Sequence, residues 1–307
     1  MKQVRLGSSG IEVPSVAVGC MHLCELSQDA AEQYVLECID QGATFFDHAD
    51  IYGKGQCETI FGNILKKHPE VREKIFLQSK CGIISGKMYD LSKDYILKSV
   101  DGILSRLQTD HLDALLLHRP DALVEPEEVA EAFDSLKQSG KVKNFGVSNM
   151  NSMQMELLRK YLHQPLIADQ LQFSIPVANM VSQGMEVNMD SQGSFDHDGS
   201  VLDYCRLNDI AVQAWSPFQK ANWQGPFIGA EDCAELNQAL NEVGEAHHAS
   251  PTTIAAAWIL RHPAKMQVIA GTTKISRMKE IIQASEIELT REEWYRLYLA
   301  VPGHILP

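Results

Sequence analysis

The sequence predicts the α/β class, and within it an (α/β)8 TIM-type barrel with an N-terminal β-hairpin and an extra C-terminal helix. Eight apolar runs of about four to seven residues alternate with longer segments of helical periodicity. Such alternation gives parallel strands joined by right-handed crossovers, and eight units close into a barrel. A chain of 307 residues fits this fold, so we expect a single domain over residues 1–307.

An open, doubly wound sheet is the alternative architecture. It usually carries a GxGxxG turn after its first strand. Residues 7–10, with the sequence GSSG, lack that spacing and are typical of a hairpin turn between residues 4–6 and 11–13. We expect this hairpin to cover the amino end of the barrel.

The elements follow in order along the chain. Helix signals support the assignments: Ser92 is a predicted N-cap, Pro126 lies in a first helical turn, and Gly140 follows a helix end. The predicted strands are 13–19, 44–47, 75–80, 112–118, 142–148, 166–170, 210–215 and 267–271. The predicted helices include 28–41, 58–67, 92–107, 126–138 and 152–161.

Two long segments interrupt the repeat. Residues 182–200 are polar and rich in Gly and Ser, with too few periodic apolar residues for a packed element. They are predicted to form either a specificity-modifying loop at the carboxyl face or a disordered surface excursion. Residues 216–231 form a second long loop, and both are expected to overhang the same opening.

Composition restricts the partners and the compartment. With 27 Lys and Arg against 40 Asp and Glu, the net charge of −13 argues against a nucleic-acid or anionic-membrane surface. No apolar stretch approaches the ~18 residues needed to cross a bilayer, and the N-terminus lacks a signal-peptide pattern. Seven cysteines without CxxC spacing favour a reduced, cytoplasmic protein. The oligomeric state is left open.

Four reactive side chains fall at or just after the ends of predicted strands. They are Asp47, Tyr52, Lys80 and His118. Taken singly, each is more simply a salt-bridge partner, a turn aromatic or a core histidine. In a parallel barrel, however, the carboxyl ends of the strands face one opening, so the four would converge into a proton-transfer site. His48 and Asp50 are alternatives to Asp47.

Six ordered motifs resemble those of the aldo-keto reductases, and of a bacterial subgroup of oxidoreductases within that family. The resemblance covers essentially the whole chain. The motifs are FDHADIYG at 46–53, SK at 79–80, LLH at 116–118, GVSN at 146–149, WSPF at 215–218 and AGTTKISR at 270–277. The resemblance implies an (α/β)8 barrel, NAD(P)H bound without a Rossmann domain, reduction of aldehydes or ketones to alcohols, and a catalytic tetrad of Asp47, Tyr52, Lys80 and His118.

The tetrad also makes chemical sense by itself. Hydride addition to a carbonyl carbon leaves negative charge on the oxygen, so a proton must arrive. A free tyrosine has a pKa near ~10, and we expect the Lys80 ammonium to lower the pKa of Tyr52 while Asp47 keeps Lys80 charged. His118 would donate to the carbonyl oxygen or relay the proton. Tyr52 is therefore the predicted acid in reduction.

Residues of the second half are predicted to bind the cofactor. Ser148, Asn149 and Gln170 offer polar groups to the nicotinamide carboxamide, and Trp215 offers a ring for stacking. Ser216, Pro217 and Phe218 continue that motif, and the phosphate-side candidates are Gly271, Thr273, Lys274 and Arg277. The two cations favour NADPH, with NADH as the alternative. Because Ile281 stands where the family often has Asn, Glu280 is the predicted adenine contact.

The predicted substrate wall is Met21, His22, Trp223 and Phe227, together with Tyr52. This wall favours an apolar or aromatic carbonyl compound, while His22 and Arg119 leave a carboxylate-bearing substrate open.

Two other functions remain open. One is a lyase that forms a Schiff base on Lys80, and the other is a cofactor-binding regulatory protein with little turnover. No HxH or paired-carboxylate pattern supports a metal hydrolase, so no metal is predicted.

Overall fold

The computed structural model describes residues 1–306, and its centre is a closed barrel of eight parallel strands. The predicted fold class is confirmed. The strands are β1 (Gln3–Arg5), β2 (Glu12–Pro14), β3 (Val16–Gly19), β4 (Phe45–Asp47), β5 (Phe76–Cys81), β6 (Ile83–Ile84), β7 (Met88–Tyr89), β8 (Leu112–Leu117), β9 (Val142–Ser148), β10 (Leu166–Gln172), β11 (Ala211–Trp215) and β12 (Gln267–Ala270). The barrel runs β3, β4, β5, β8, β9, β10, β11, β12 and closes back on β3.

Helices surround the barrel, and their apolar faces pack with the outward faces of the strands into the main core. They are α1 (Gln28–Asp40), α2 (Gln56–Lys67), α3 (Lys93–Leu107), α4 (Pro126–Gln138), α5 (Ser152–Arg159), α6 (Asn179–Met185), α7 (Val201–Leu207), α8 (Ala234–His247), α9 (Pro251–Leu260), α10 (Ile275–Gln283) and α11 (Arg291–Leu299). As predicted, the Ser92 side chain caps α3 by accepting from the Tyr95 backbone amide. In the described part of the chain, no helix combines the length and the apolar character needed to cross a membrane.

The N-terminal hairpin of β1 and β2 covers the amino end of the barrel, as expected. Leu6 and Val13 of this hairpin are buried with residues from the barrel interior. A Cβ atom on Gly7 would lie 2.2 Å from the Ile167 carbonyl oxygen, so the hairpin turn is pressed against the start of β10. Residues 13–19, predicted as one strand, divide at Ser15: β2 pairs within the hairpin and β3 pairs within the barrel.

The segment 182–200 is packed at its start and mostly exposed after Glu186. It begins inside α6, where Ser182 and Gln183 are buried. The Ser182 hydroxyl hydrogen-bonds to the Tyr298 hydroxyl of α11 at 2.7 Å, and Gln183 Nε2 donates to Asp198 at 2.6 Å. The predicted long loop therefore starts later than expected: α6 continues to Met185, and the residues from 186 to 200 contain no α-helix or strand.

Candidate active site

The structure brings the four predicted tetrad residues together at the carboxyl ends of β4, β5 and β8, an opening that we call the mouth. Lys80 Nζ donates to both carboxylate oxygens of Asp47 at 2.7 Å, and both side chains are buried. The same ammonium lies 5.1 Å from the centre of the Tyr52 ring. The rings of Tyr52 and His118 meet edge to face with centroids 5.9 Å apart. An acid, an ammonium, a phenol and an imidazole therefore share one site.

Lys80 stays charged despite its burial. Burial acts to lower the pKa of this ammonium, but the Asp47 carboxylate opposes it, and the net pKa is raised. For Tyr52, burial raises the pKa of the phenol, and the Lys80 charge opposes that rise without overcoming it. The expected net lowering of the Tyr52 pKa was therefore wrong. A phenol that keeps its proton at neutral pH is suited to act as an acid.

His118 is neutral. Burial, with the nearby positive charges of Lys80 and Arg119, lowers the pKa of His118 to about 2. Its Nδ1 atom is buried and has no hydrogen-bond partner among the described residues. A neutral imidazole donates a hydrogen bond from one ring nitrogen and does not deliver a full charge to the site.

The two alternatives to Asp47 occupy other environments. The His48 ring packs edge to face on Phe61 at 4.7 Å, burial lowers its pKa to about 3, and its backbone carbonyl accepts from Lys80 at 2.8 Å. The Asp50 backbone amide donates to the Lys80 carbonyl, and its Oδ1 is buried without a partner in the described chain. Burial and the Glu58 charge raise the pKa of Asp50 to about 7. Asp47 is thus the carboxylate that pairs with Lys80.

Four glutamine side chains, which we call the glutamine ladder, lie inside the barrel beneath the tetrad. They are Gln78, Gln170, Gln213 and Gln267, and all are buried. Gln78 Nε2 donates to Asp47 Oδ1 at 2.7 Å and to Gln213 at 2.9 Å. Gln213 Nε2 donates to Gln78 at 3.2 Å and to Gln267 at 2.8 Å. Gln267 Nε2 then donates to the Pro14 carbonyl at 2.7 Å, so the ladder links Asp47 to the hairpin.

Three members of the ladder were missed from the sequence. Gln78, Gln213 and Gln267 are single amides inside apolar strand runs. A polar side chain at an inward strand position inside a barrel must find buried partners, and this was the available signal.

The predicted nicotinamide-side residues form one hydrogen-bonded group. Asn149 Nδ2 donates to the Ser148 hydroxyl at 2.7 Å, and Trp215 Nε1 donates to Asn149 Oδ1 at 3.0 Å. Ser148 in turn donates to the Gln170 carbonyl at 2.9 Å. The amide nitrogen of Gln170 is committed to Asp47 and Gln213, while its Oε1 accepts no hydrogen bond from residues 1–306. Asn149 therefore orients the Trp215 ring, and Gln170 keeps an acceptor open.

The loop after β11 folds back over the mouth. Trp223 is 73% exposed and stacks on Trp215 with ring centroids 5.6 Å apart. Ser216 adopts a positive φ of 50°, Pro217 is buried, and the Phe218 carbonyl accepts from the Phe227 amide at 3.1 Å.

The predicted substrate wall is partly assembled. Met21 is 43% exposed just after β3, beside His22, whose Nδ1 lies 2.6 Å from Glu25. Both residues follow the carboxyl end of β3, and Trp223 lies in the loop after β11. Phe227 lies elsewhere, because its side chain is fully buried in the main core.

The predicted phosphate-side residues surround the start of α10. This helix begins without a side-chain cap, so its first backbone amides stay open. Lys274 and Arg277 are exposed and form no ion pair with the described residues, and Thr273 is half-buried. Gly271 is exposed, with His22 the nearest side chain to its vacant Cβ position at 3.9 Å. The Glu280 carboxylate accepts from the Ser250 hydroxyl at 2.9 Å, which commits one of its oxygens to the cap of α9.

Comparisons with known proteins match nearly the whole chain to aldo/keto reductases and other oxidoreductases. A model of the Aldo/keto reductase family matches residues 15–299. The chain is 37% identical to "Uncharacterized oxidoreductase YcsN" of Bacillus subtilis (strain 168) and 33% identical to "Oxidoreductase YdhF" of Escherichia coli (strain K12), over 100% of each chain. It is 31% identical to "6-dehydroglucose reductase" of Agrobacterium fabrum, over 99% of each chain. A crystal structure of the thermostable aldo-keto reductase Tm1743 with the inhibitor epalrestat matches with a TM-score of 0.78 and 25% identity, over 98% of this chain and 100% of that one.

Proposed function

Because the chain belongs to the aldo/keto reductase family and is an NAD(P)H-dependent oxidoreductase, we propose that it reduces aldehydes or ketones to alcohols with NADPH and takes the proton from Tyr52. The observation that carries the proposal is the buried contact of Asp47 and Lys80 beneath Tyr52. A positive charge at that position supports the proposal because it would stabilise the phenolate that the proposed proton transfer leaves.

Each tetrad residue has a separate task in this reaction. The carbonyl oxygen binds between the Tyr52 hydroxyl and the neutral His118 ring. As negative charge develops on that oxygen, the Tyr52 O–H bond breaks and its proton moves to the oxygen. The Lys80 ammonium stabilises the phenolate that remains, and Asp47 holds Lys80 in place and in its charged form.

The site has groups suited to NADPH, which supplies hydride to the carbonyl carbon when bound. Gln170 Oε1 is an open acceptor for a carboxamide. Trp215, fixed by Asn149, offers a ring face once Trp223 is displaced. The uncapped start of α10, with Lys274 and Arg277, fits a phosphate.

Replacing Tyr52 by Phe tests the proton donor. Tyr52→Phe removes the hydroxyl and keeps the ring, so we expect at least a ~100-fold loss of kcat with 4-nitrobenzaldehyde, measured by NADPH oxidation. NADPH affinity, measured by fluorescence titration, should stay within about twofold. The control is Tyr161→Phe, a half-buried tyrosine beyond the end of α5. Unimpaired turnover of Tyr52→Phe would remove Tyr52 from this role.

Lys274 and Arg277 are proposed to bind the 2′-phosphate of NADPH. In the double variant Lys274→Ala/Arg277→Ala, the KM for NADPH should rise about 10- to 100-fold while the KM for NADH stays nearly constant, because NADH lacks that phosphate. Lys265→Ala, at an exposed lysine before β12, is the control. Equal preference for the two cofactors before and after mutation would contradict the assignment.

The two alternative functions, a Schiff-base lyase and a cofactor-binding regulatory protein, can be distinguished from carbonyl reduction by experiment. A Schiff-base lyase needs a neutral amine, whereas Lys80 is paired with Asp47 and its pKa is raised, which disfavours this chemistry. Borohydride trapping of a substrate on Lys80 would favour the lyase. A regulatory protein would bind NADPH tightly and show negligible turnover over a broad panel of carbonyl compounds. Two relatives are named 6-dehydroglucose reductase, so the panel should include sugar aldehydes.

A further inference from the structure

Arg119 is a half-buried cation that no acidic side chain among residues 1–306 neutralises. Residues 1–306 contain three half-buried arginines. Arg72 pairs with Asp113 at 3.0 Å and Arg106 pairs with Glu58 at 2.8 Å. Within this described chain, Arg119 has neither an ion pair nor a hydrogen bond. Partly removing a charge from water without pairing it is unfavourable, so its retention points to a ligand outside the protein.

The Arg119 side chain crosses part of the mouth. Arg119 follows the end of β8, yet its guanidinium carbon lies 5.7 Å from the Trp215 ring at the end of β11. The strands β9 and β10 lie between these two strands in the barrel. The charge of Arg119 also lowers the pKa of His118, so the guanidinium lies near that imidazole. Contact with an aromatic face limits the orientations of the guanidinium.

This inference rests on the proposed carbonyl reduction: we propose that Arg119 binds a carboxylate carried by the substrate. The preferred substrates are then aldehydes or ketones that bear a carboxylate group. The planar guanidinium offers parallel N–H donors that match the two oxygens of a carboxylate. The net charge of −13 repels an anionic substrate on average, so a cation at the mouth is required to attract one.

Matched acid and ester substrates test the proposal. The probes are 4-carboxybenzaldehyde and its methyl ester, and 4-oxobutanoate and its methyl ester. The wild type should have the higher kcat/KM for the acid of at least one pair. In Arg119→Met, which keeps the length and loses the charge, kcat/KM for that acid should fall about 10- to 100-fold, with the ester within about twofold. Arg119→Lys should recover part of the loss.

A charge-matched control separates local from global effects. Arg5→Met removes one positive charge from the exposed strand β1 at the opposite end of the barrel. It should leave the ratio of acid to ester unchanged. Equal losses for acid and ester in Arg119→Met would overturn the proposal. So would a rise in the KM for NADPH with every substrate, because Arg119 would then serve the cofactor.

A binding measurement distinguishes this proposal from the proposed reaction. Calorimetric titration with 4-(hydroxymethyl)benzoate and its methyl ester, in the presence of NADP+, needs no turnover. Tighter binding of the acid to the wild type, lost in Arg119→Met, would support the carboxylate site even if no carbonyl compound is reduced. Equal binding of acid and ester to the wild type would overturn it. A wild type inactive on every carbonyl compound would reject the reaction separately.

Discussion

Two aspartates three residues apart have opposite electrostatic environments. Asp47 accepts hydrogen bonds from Lys80, Gln78 and Gln170, whereas Asp50 has a buried oxygen without a partner in residues 1–306. The first side chain is paired with an ammonium and two amides, while burial, with the Glu58 charge, raises the pKa of the second to about 7. The site thus holds an Asp47–Lys80 pair and, near it, a second carboxyl group whose pKa is raised to about 7.

Asp50 should make stability depend on pH. Its pKa rises from 3.8 to about 7 on folding, so between these values the folded protein holds a proton that the unfolded chain has lost. The free energy of unfolding is therefore highest, as far as Asp50 is concerned, below about pH 4. It falls as the pH rises toward about 7, because the folded state then has to give up the proton that stabilises it. The free energy of unfolding of Asp50→Asn, relative to that of the wild type, should therefore increase across this range by at most about 4 kcal/mol. Urea unfolding from pH 4 to 8 measures this difference.

The matched control for this experiment is Asp29→Asn, which removes an exposed carboxylate in the first turn of α1. The difference in free energy of unfolding between Asp29→Asn and the wild type should not increase between pH 4 and 8 as it is predicted to do for Asp50→Asn. If the two variants follow the same pH curve, Asp50 does not carry a shifted pKa.

The proximity of the four predicted tetrad residues could be predicted from the sequence, whereas their electrostatics could not. Asp47, Lys80 and His118 end apolar runs, and strand ends are visible in a linear pattern. The net direction of the Tyr52 pKa depends on a competition between burial and Lys80. Burial depends on the three-dimensional structure. The sequence therefore indicated the Lys80 charge, which lowers the pKa of Tyr52, but not the burial of Tyr52, which raises it more strongly.

At the scale of elements, α2 lies so close to the end of α3 that one position has no room for a side chain. A Cβ atom on Gly62 would lie 2.1 Å from the Arg106 carbonyl oxygen. Backbone atoms cannot move aside as a flexible side chain can, so any larger residue must push the two helices apart. Helix α2 also contains Glu58, whose carboxylate accepts a hydrogen bond from Ser79 of β5. A shift of α2 would therefore also disturb its contact with the barrel.

Gly62→Ala should destabilise the protein by about 2 to 3 kcal/mol because the added methyl group forces α2 away from α3. Gly184 of α6 provides a matched control, since nothing lies within 4 Å of its Cβ position. Gly184→Ala should be neutral or stabilising by up to about 1 kcal/mol. Chemical denaturation of both variants measures the difference, and equal effects would contradict the close contact.

Regular elements were predictable where a single rule dominates. The strand Val142–Ser148 and the helix Pro126–Gln138 have the predicted bounds because periodicity and turn residues agree. Residues 13–19 read as one run, yet they serve two sheets. The pattern of apolar residues is the same whether or not the chain changes its strand partner at Ser15. Only the tertiary structure shows the change.

At the scale of the whole molecule, the glutamine ladder joins the hairpin end of the barrel to the tetrad. Gln213 is central, since it exchanges hydrogen bonds with Gln78 and donates to Gln267. Gln213→Leu leaves buried amides unpaired, and we expect a loss of about 3 kcal/mol or more. In a double-mutant cycle with Gln78→Leu, the combined loss should be smaller than the sum, because the second change removes a group that was already unpaired. Additive losses in urea unfolding would mean that the amides act independently.

The ladder and the hairpin together decide how the site is supplied with protons. The amides of the ladder do not titrate near neutral pH, and the hairpin covers the amino end. Under the proposed reaction, each turnover leaves Tyr52 without its proton. Resupply must then come from solvent through the mouth, the same opening that the alcohol uses to leave. In the proposed reaction, the proton and the alcohol would therefore share one route to solvent, with one proton entering in each cycle.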